Sequence, residues 1–473
     1  MFHDLIRSVL VLCVVVSALI TGAAAAQSPL VIQSVTVVDV RDGSLRADRT
    51  VVIEGDRIIA IAADAEIDVP ETATVIDGSS KFLIPGLWDM HVHSVTNRGW
   101  HFPLLLAHGV TGVRNLHTSE PDPLEQVAAI KRALGSGELL GPRFVANGPL
   151  VDGPPGIWPG VVLVKGREEA IAAVERLEAG GADFIKIYDN LSHESFEALM
   201  ARAKALDIPV DGHLPFEVTP QEAAEAGMRT LEHGSGILMG CAADADAART
   251  ALADLKENPL PFPEGRVAFV SVLQQLQDSQ DDQRCAEVAD AYRRHGLAAT
   301  PTLVTGRSDA MAREMMRNED AVALLPAETA DQWRGMAESG LSGRFAELAA
   351  PLLQGASDRT RLLHTSGVTL LAGTDIGNPF LVPGYSLHQE LGLLVDAGLA
   401  PHEALQTATL NPASVLGMSD TLGQVRTGFA SDLVLLRANP LENIENAREI
   451  EAVITRGRYL DRAALDEMLK AAK

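Results

Sequence analysis

Two histidines separated by one residue, His91 and His93, follow a short apolar run. Side chains alternate between the two faces of a β-strand, so both imidazoles point to one side and can reach one metal ion. An H-x-H pair alone is weak evidence, because such pairs also occur without a metal. Its place at the end of a predicted strand strengthens the case, since barrel enzymes carry their chemistry there. The spacing therefore predicts a metal site at a strand end.

Lys186 lies in a second apolar run, 184–188, where it points away from Ile185 and Ile187. A buried ammonium is costly unless it is paired or neutralised. Reaction with carbon dioxide would convert it to a carbamate, an anionic oxygen ligand able to bridge two metal ions. The alternative is a lysine whose amine reaches the surface along a buried stem.

Three further metal-type side chains end short segments: His213, His233 and Asp375. Each has an ordinary alternative, because a lone histidine is usually structural and an aspartate can cap a helix. Together with the residues above, however, such side chains occur at the ends of predicted strands 1, 4, 5, 6 and 8. Divalent metals of borderline hardness accept this mixture of nitrogen and oxygen ligands. The set therefore predicts one metal centre.

The middle of the chain alternates predicted strands with helical segments, an example being the helix that Thr219 and Glu222 open at Pro220. The eight strand candidates are 87–93, 109–117, 142–151, 182–188, 207–213, 228–233, 297–304 and 367–375. This α/β pattern predicts a closed (β/α)8 TIM barrel. A doubly wound open sheet is the alternative, but no G-x-G-x-x-G follows the first strand.

Both chain ends are rich in short β segments and differ in texture from the middle. We therefore expect residues 27–83 and 422–473 to form one composite β domain around a barrel spanning 84–421. Two long, mostly helical insertions, 234–296 and 305–366, are expected at the active-site face, where they would shape access of the substrate.

Composition limits the classes of function that the chain can have. The chain of 473 residues has 39 basic and 63 acidic side chains, a formal charge of −24, and 47% hydrophobic residues. A large core is available, and the negative charge disfavours nucleic acid as a partner.

The N-terminus resembles a secretory signal over residues 1–26, with Arg7, an apolar run at 9–20 and a small-residue stretch at 23–26. This predicts a periplasmic or secreted protein with no stable membrane insertion after cleavage. An uncleaved anchor is the alternative. An oxidising compartment would permit a disulfide between Cys241 and Cys285, although two unrelated thiols remain the other interpretation.

Several stretches together carry a family resemblance: KFLIPGLWDMHVH, GVTGVRNL, GADFIKIY, IPVDGHLPF, TLEHG, GVTLLAGTDIG, ALQTATLNPASVLG and GQVRTGFASDLVLL. On these motifs the chain resembles the amidohydrolase superfamily over nearly its whole mature length. The resemblance implies a TIM barrel with a small β-sandwich made from both chain ends. It also implies that His91, His93 and Asp375 hold a more buried metal ion. His213 and His233 would hold a second one, with carboxylated Lys186 bridging both.

Within the superfamily, the sequence pattern is most similar to that of imidazolonepropionase-like and Xaa-Pro-dipeptidase-like members. One departure is the stretch 153–159, GPPGIWP, where dipeptidase-like enzymes are expected to carry a Gly-Gly-His-type stretch. This difference weighs against a dipeptide substrate.

The resemblance implies an enzyme that cleaves a C–N bond in a small amide or peptide-like substrate by metal-activated hydroxide, using two divalent ions, zinc by default. Asp375 is expected to act as base and then acid. Tyr188 and His117 are candidate substrate contacts, or ordinary packing at the barrel mouth. Ester, lactone or phosphotriester hydrolysis at the same metals and a non-catalytic binding barrel are the rivals. A mononuclear deaminase is disfavoured because such enzymes lack the bridging lysine. A homo-oligomer is left open.

Overall fold

The computed structural model describes residues 28–258, 260–261, 264–338 and 341–473, so the predicted signal segment lies outside the described residues. The strands in this part of the chain are β1 (Leu30–Asp39), β2 (Ser44–Glu54), β3 (Arg57–Ala63), β4 (Thr74–Asp77), β5 (Phe82–Pro85), β6 (Leu87–Val92), β7 (Val110–Asn115), β8 (Arg143–Ala146), β9 (Val151–Asp152), β10 (Val162–Leu163), β11 (Ile185–Ile187), β12 (Val210–Gly212), β13 (Thr230–Glu232), β14 (Ala298–Thr300), β15 (Leu433–Leu436), β16 (Ile450–Thr455) and β17 (Arg458–Leu460).

The α-helices of the same residues are α1 (Arg98–Ala107), α2 (Pro123–Ser136), α3 (Arg167–Ala179), α4 (His193–Ala205), α5 (Pro220–Ala226), α6 (Ser235–Cys241), α7 (Ala245–Glu257), α8 (Glu264–Asp278), α9 (Asp282–His295), α10 (Leu303–Met315), α11 (Glu319–Val322), α12 (Ala327–Glu338), α13 (Leu341–Thr365), α14 (Tyr385–Asp396), α15 (Pro401–Thr407), α16 (Leu410–Val415) and α17 (Arg462–Ala471).

The two chain ends share one eight-stranded sheet, in the order β17-β16-β15-β5-β1-β2-β3, with β4 beside β1. The junction is the antiparallel pair β5 and β15, in which Pro85 lies opposite Leu433. Apolar side chains from both ends, such as Ile32 and Leu435, are buried in one core. Both chain ends therefore contribute strands to one sheet, which includes Pro85.

The middle of the chain forms parallel strands covered by helices, in two sheets ordered β6-β7-β8 and β10-β9-β11-β12-β13-β14. Backbone hydrogen bonds connect them. The Asp183 N–H donates to the Ala146 carbonyl at 3.0 Å, next to β8. On the other side, the segment 369–376 bonds to Ala299 and to Met90, so it lies between β14 and β6. The fold is a TIM-barrel-like α/β fold.

Seven of the eight predicted strands contain observed strands inside their predicted ranges. The eighth, 367–375, has no continuous strand. Leu370 forms an isolated bridge with Ala299, and Ile376, one residue past the predicted range, forms another with Val92. The helix predicted at Pro220 is confirmed, including its capping box, in which the Glu222 N–H donates to Thr219 Oγ1 at 3.2 Å.

Both long insertions are helical, as expected: α6 to α9 fill the first and most of α10 to α13 fills the second. The sequence left a disulfide and two unrelated thiols open, and the structure shows the disulfide: Cys241 and Cys285 are bonded and join α6 to α9. The C-terminal helix α17 was not anticipated, and it packs against α1. None of the helices within the described ranges is both long enough and apolar enough to cross a membrane.

Candidate metal centre

His91, His93 and Asp375 form a cluster whose ligand atoms all lie within 4.8 Å of one another. Asp375 Oδ1 is 3.3 Å from His91 Nε2 and 3.0 Å from His93 Nε2. The backbone sets this up, because the Asp375 N–H donates to the His91 carbonyl at 2.7 Å. The first and last predicted barrel strands therefore bring their metal-type side chains to one point.

The other two predicted histidines extend this cluster. The His233 ring centroid is 4.6 Å from that of His91 and 4.8 Å from that of His213. His233 Nε2 also lies 4.0 Å from Asp375 Oδ2. The structure thus places four imidazoles and one carboxylate around one region, although they come from segments far apart in the chain.

Lys186 is buried beside these groups, with 1% of its side chain exposed. Its neighbours Ile185 and Ile187 belong to the outer core beneath the helices, which leaves Lys186 on the opposite face of β11. The Nζ atom has no hydrogen-bond partner among the described residues. Burial lowers the pKa of this amine to about 8, while Glu232 works against that effect. A buried amine without a partner is expensive, so the position calls for a ligand or a covalent change.

The protonation states suit metal binding. Burial holds the pKa of His91 and His213 well below the usual value, and lowers that of His233 to about 4. Burial alone would raise the pKa of Asp375, but the neighbouring His91, His93 and His233 hold it well below its usual value. Neutral imidazoles and an ionised carboxylate are the forms that bind a metal. The residues present therefore fit a divalent ion.

The Nδ1 atoms of three of these histidines are held by partners that sequence reasoning missed. The pairs are His91 with Glu232 Oε2 at 2.9 Å, His213 with Asp189 Oδ1 at 3.0 Å, and His233 with Thr302 Oγ1 at 2.8 Å. Such partners fix the ring orientation and leave Nε2 free for a metal. In the sequence, two of these partners are marked only by their position beside a candidate site residue. Glu232 directly precedes His233, and Asp189 directly follows Tyr188.

A buried arginine, Arg114, holds the carboxylate that orients His91. Arg114 on β7 donates to Glu232 Oε1 at 2.8 Å, to Asp211 Oδ2 at 2.9 Å and to the Met90 carbonyl at 2.7 Å. The side chains of Arg114, Glu232 and Asp211 are all fully buried. Breaking such a buried pair leaves an uncompensated charge, at a cost of about 3–5 kcal/mol. The network ties β7 to three other strands and fixes the carboxylate that orients His91.

The backbone is strained where the site residues leave their strands. Asp375, His233 and Thr302 have φ values of 61°, 63° and 46°, a left-handed region that residues other than glycine seldom adopt. Gly377 has a φ of 113°, and a Cβ there would lie 2.7 Å from His93 Cβ. Such strain concentrates at functional sites, because the surrounding structure must compensate for it.

The two candidate substrate contacts lie beside the cluster. Tyr188 stacks on His213 with ring centroids 4.1 Å apart, and its hydroxyl lies close to the Trp158 side chain. Both nitrogens of His117 are engaged, since Nδ1 accepts from the Leu150 N–H at 3.2 Å and Nε2 lies 3.0 Å from the Pro159 carbonyl. His117 therefore anchors the segment that follows β9. A direct contact of either side chain with substrate stays a prediction.

Glu232→Gln is expected to lower metal affinity by about 10- to 100-fold, because the amide no longer provides the charge that orients His91. Titration of metal-free protein with Zn²⁺ measures this. Glu125→Gln, an exposed change far from the cluster, is the control and should bind as the unaltered protein does. Equal affinities of the two variants would show that His91 does not depend on Glu232.

Comparisons with known proteins agree with this geometry. A model of the amidohydrolase family matches residues 282–460. Ochratoxinase from Aspergillus niger is 23% identical over 471 residues, covering 87% of this chain and 82% of the relative. Imidazolonepropionase from Rubrobacter xylanophilus is 25% identical over 416 residues, covering 82% and 84%. The predicted resemblance to the amidohydrolase superfamily is confirmed.

Solved structures agree with this assignment. A bottromycin amidohydrolase superimposes with a TM-score of 0.72 at 26% identity, covering 93% of this chain and 90% of the other. A Xaa-Pro dipeptidase shares the fold, with a TM-score of 0.67 at 21% identity, covering 92% and 100%. The predicted resemblance to the imidazolonepropionase-like and Xaa-Pro-dipeptidase-like branch is confirmed. The similarity to the amidohydrolase family and to ochratoxinase indicates an enzyme of the hydrolase class.

Proposed function

We propose that this amidohydrolase is an exported enzyme that uses two divalent metal ions to hydrolyse an amide or peptide-like C–N bond. The observation that carries the proposal is the buried Lys186 amine, which has no hydrogen-bond partner in the described structure and lies beside the histidine cluster. A single-metal site built from His91, His93 and Asp375 would leave that amine without a role. A bridging carbamate gives it one.

The proposed ligands are His91, His93 and Asp375 for one ion and His213 and His233 for the other, with Lys186 between them. The Lys186 amine would attack carbon dioxide, form an N–C bond and release one proton, which leaves an anionic carbamate. When bound, the ions would polarise the substrate carbonyl and lower the pKa of a water molecule to near neutrality. Zinc is the proposed metal, because it accepts imidazole and carboxylate ligands.

Asp375 is the proposed proton carrier. As an ionised carboxylate it would accept the proton of the attacking water as the water oxygen bonds to the carbonyl carbon. It would then donate that proton to the leaving nitrogen as the C–N bond breaks. Burial raises the pKa of the Tyr188 hydroxyl, which therefore stays neutral and can act as a hydrogen-bonding group beside His213.

The choice of a C–N bond rests on the superfamily and on a structural relative named as an amidohydrolase. An ester, lactone or phosphotriester could be cleaved by the same groups. A mononuclear deaminase is the less favoured alternative, because it would not use Lys186.

A substrate panel combined with elemental analysis tests the proposal. Purified, metal-loaded protein would be assayed against N-acyl amino acids, dipeptides, lactones and organophosphates. We expect two metal ions per chain and hydrolysis of amides in preference to the other compounds. One metal per chain, or turnover confined to lactones or phosphotriesters, would contradict it.

Two finer features of the architecture belong to the same proposal. The parallel strands would close into a complete (β/α)8 barrel over residues 84–421, since the segment 369–376 bonds to β14 and to β6. Residues 27–83 and 422–473 would form a β-sandwich domain, which is consistent with the sheet shared by the chain ends.

Export is the last part of the proposal and rests on residues 1–26. We expect cleavage before Gln27 and a mature enzyme in the periplasm or the medium. N-terminal sequencing of protein from the cell envelope fraction measures this. Soluble, mature protein that still begins with Met1 would contradict it.

A further inference from the structure

Exposed apolar side chains concentrate at one place in the described structure. Among the described residues eight large hydrophobic side chains are exposed. Three of them lie within seven residues: Ile157, Trp158 and Leu163, with 62%, 43% and 42% of their surfaces accessible. Isolated exposed hydrophobic residues are normal, but a group of them marks an interaction site. We call these three residues the apolar lip.

Two residues of the apolar lip, Ile157 and Trp158, belong to the segment between β9 and β10, which we call the mouth loop, residues 153–161. The third, Leu163, lies in β10 directly after it. Its sequence, GPPGIWPGV, contains no ionisable side chain, although 22% of the whole chain is charged. Electrostatics therefore contributes little to what this loop recognises. Apolar contact is the interaction that its side chains offer.

Two groups beside the metal centre hold the mouth loop in place. His117 Nε2 lies 3.0 Å from the Pro159 carbonyl, and its other ring nitrogen is bound to the Leu150 N–H. The Trp158 side chain lies close to the hydroxyl of Tyr188, whose ring stacks on His213. Tyr188 therefore lies between Trp158 and His213, a candidate metal ligand.

From this arrangement we infer that the apolar lip is a specificity element, which binds a large apolar substituent of the substrate next to the scissile amide. The inference rests on the proposed amide hydrolysis and adds the class of substrate. A substituent lying against Trp158 and Ile157 would remove apolar surface from water on both sides. Substrates with small or charged substituents would gain nothing from this contact.

The test compares the unaltered protein with Trp158→Ala, Trp158→Phe and Leu45→Ala. Leu45 is a matched control, since it is 43% exposed and lies in β2 of the terminal sheet. Two amide series would be assayed: N-acyl glycines with acyl chains of increasing length, and N-acetyl amino acids with side chains of increasing apolar size. Calorimetry on the same compounds measures binding independently of hydrolysis.

In one of the two series we expect kcat/KM to rise with apolar size. Trp158→Ala should reduce the ratio of kcat/KM for the largest and smallest substrates by on the order of tenfold to hundredfold. Trp158→Phe should retain most of that ratio, because it keeps an aromatic surface, although the ring is smaller and lacks the indole N–H. Leu45→Ala should retain all of it.

Several results would overturn the inference: a ratio that Trp158→Ala leaves unchanged, equal losses in Trp158→Ala and Leu45→Ala, or an apolar preference absent from both kinetics and calorimetry. Apolar amides that bind but are not cleaved would refute the proposed hydrolysis and still support the apolar lip. A concentration-dependent dimer that Trp158→Ala dissociates would assign the lip to a second copy of the chain and exclude the substrate interpretation.

Discussion

Asp375→Asn is expected to lower kcat by a factor on the order of 10³ or more. Asn cannot accept and return a proton, and the change also removes a charged ligand that lies 3.0 Å from His93 Nε2 and 3.3 Å from His91 Nε2. The measurement is steady-state kcat on the best amide of the panel. It must be accompanied by the metal content of the same preparation.

The two possible causes of that loss can be separated. If metal content stays at the level of the unaltered protein while kcat falls, proton transfer is the function that was lost. If metal content falls as well, ligation is affected too. Asp331→Asn, an exposed change on α12, is the control and should behave as the unaltered protein does. A variant with normal kcat and both metals bound would eliminate Asp375 as the proton carrier.

Lys186→Ala should lose most activity and at least one metal ion per chain. The buried amine has no hydrogen-bond partner in the described part of the chain, and its removal takes away the proposed bridging anion. Short carboxylic acids added to this variant should restore part of the rate, because they supply oxygen ligands in the vacated space. Elemental analysis and activity, measured with and without added acid, provide the test.

Two further lysine variants sharpen this result. Lys186→Arg should remain inactive, because guanidinium stays cationic and cannot form a carbamate. Lys131→Ala removes a partly exposed lysine paired with Asp183 and should leave activity and metal content unchanged. If Lys186→Ala kept two metal ions and near-normal turnover, the bridging role would be wrong, and a mononuclear mechanism would become the better interpretation.

Much of the candidate site could be predicted because its main residues obey local rules. His91 and His93 share a strand face through the period of two, and Lys186 opposes Ile185 and Ile187 for the same reason. Parallel strands of a barrel end on one face, so side chains at their C-terminal ends must come together. These rules sufficed to place five segments around one centre without knowledge of any contact between them.

The residues that orient the site could not be found in this way. His91 and its partner Glu232 are 141 residues apart, and His233 and Thr302 are 69 apart. Arg114, which holds Glu232, lies within an apolar strand where no spacing distinguishes it. Such pairs depend on which strands become neighbours and on their register, neither of which leaves a periodic signal in a single chain.

What the sequence determined by itself is the strand–helix alternation, the helix starts and the residue types at strand ends. Each depends on interactions within a few residues, such as the capping box at Thr219. Only the tertiary structure decided that the eighth strand pairs through isolated bridges, that Cys241 meets Cys285, and that His117 anchors the mouth loop. Those outcomes depend on the pairing of the parallel strands and on packing of the insertions, which bring together groups that no local interaction connects.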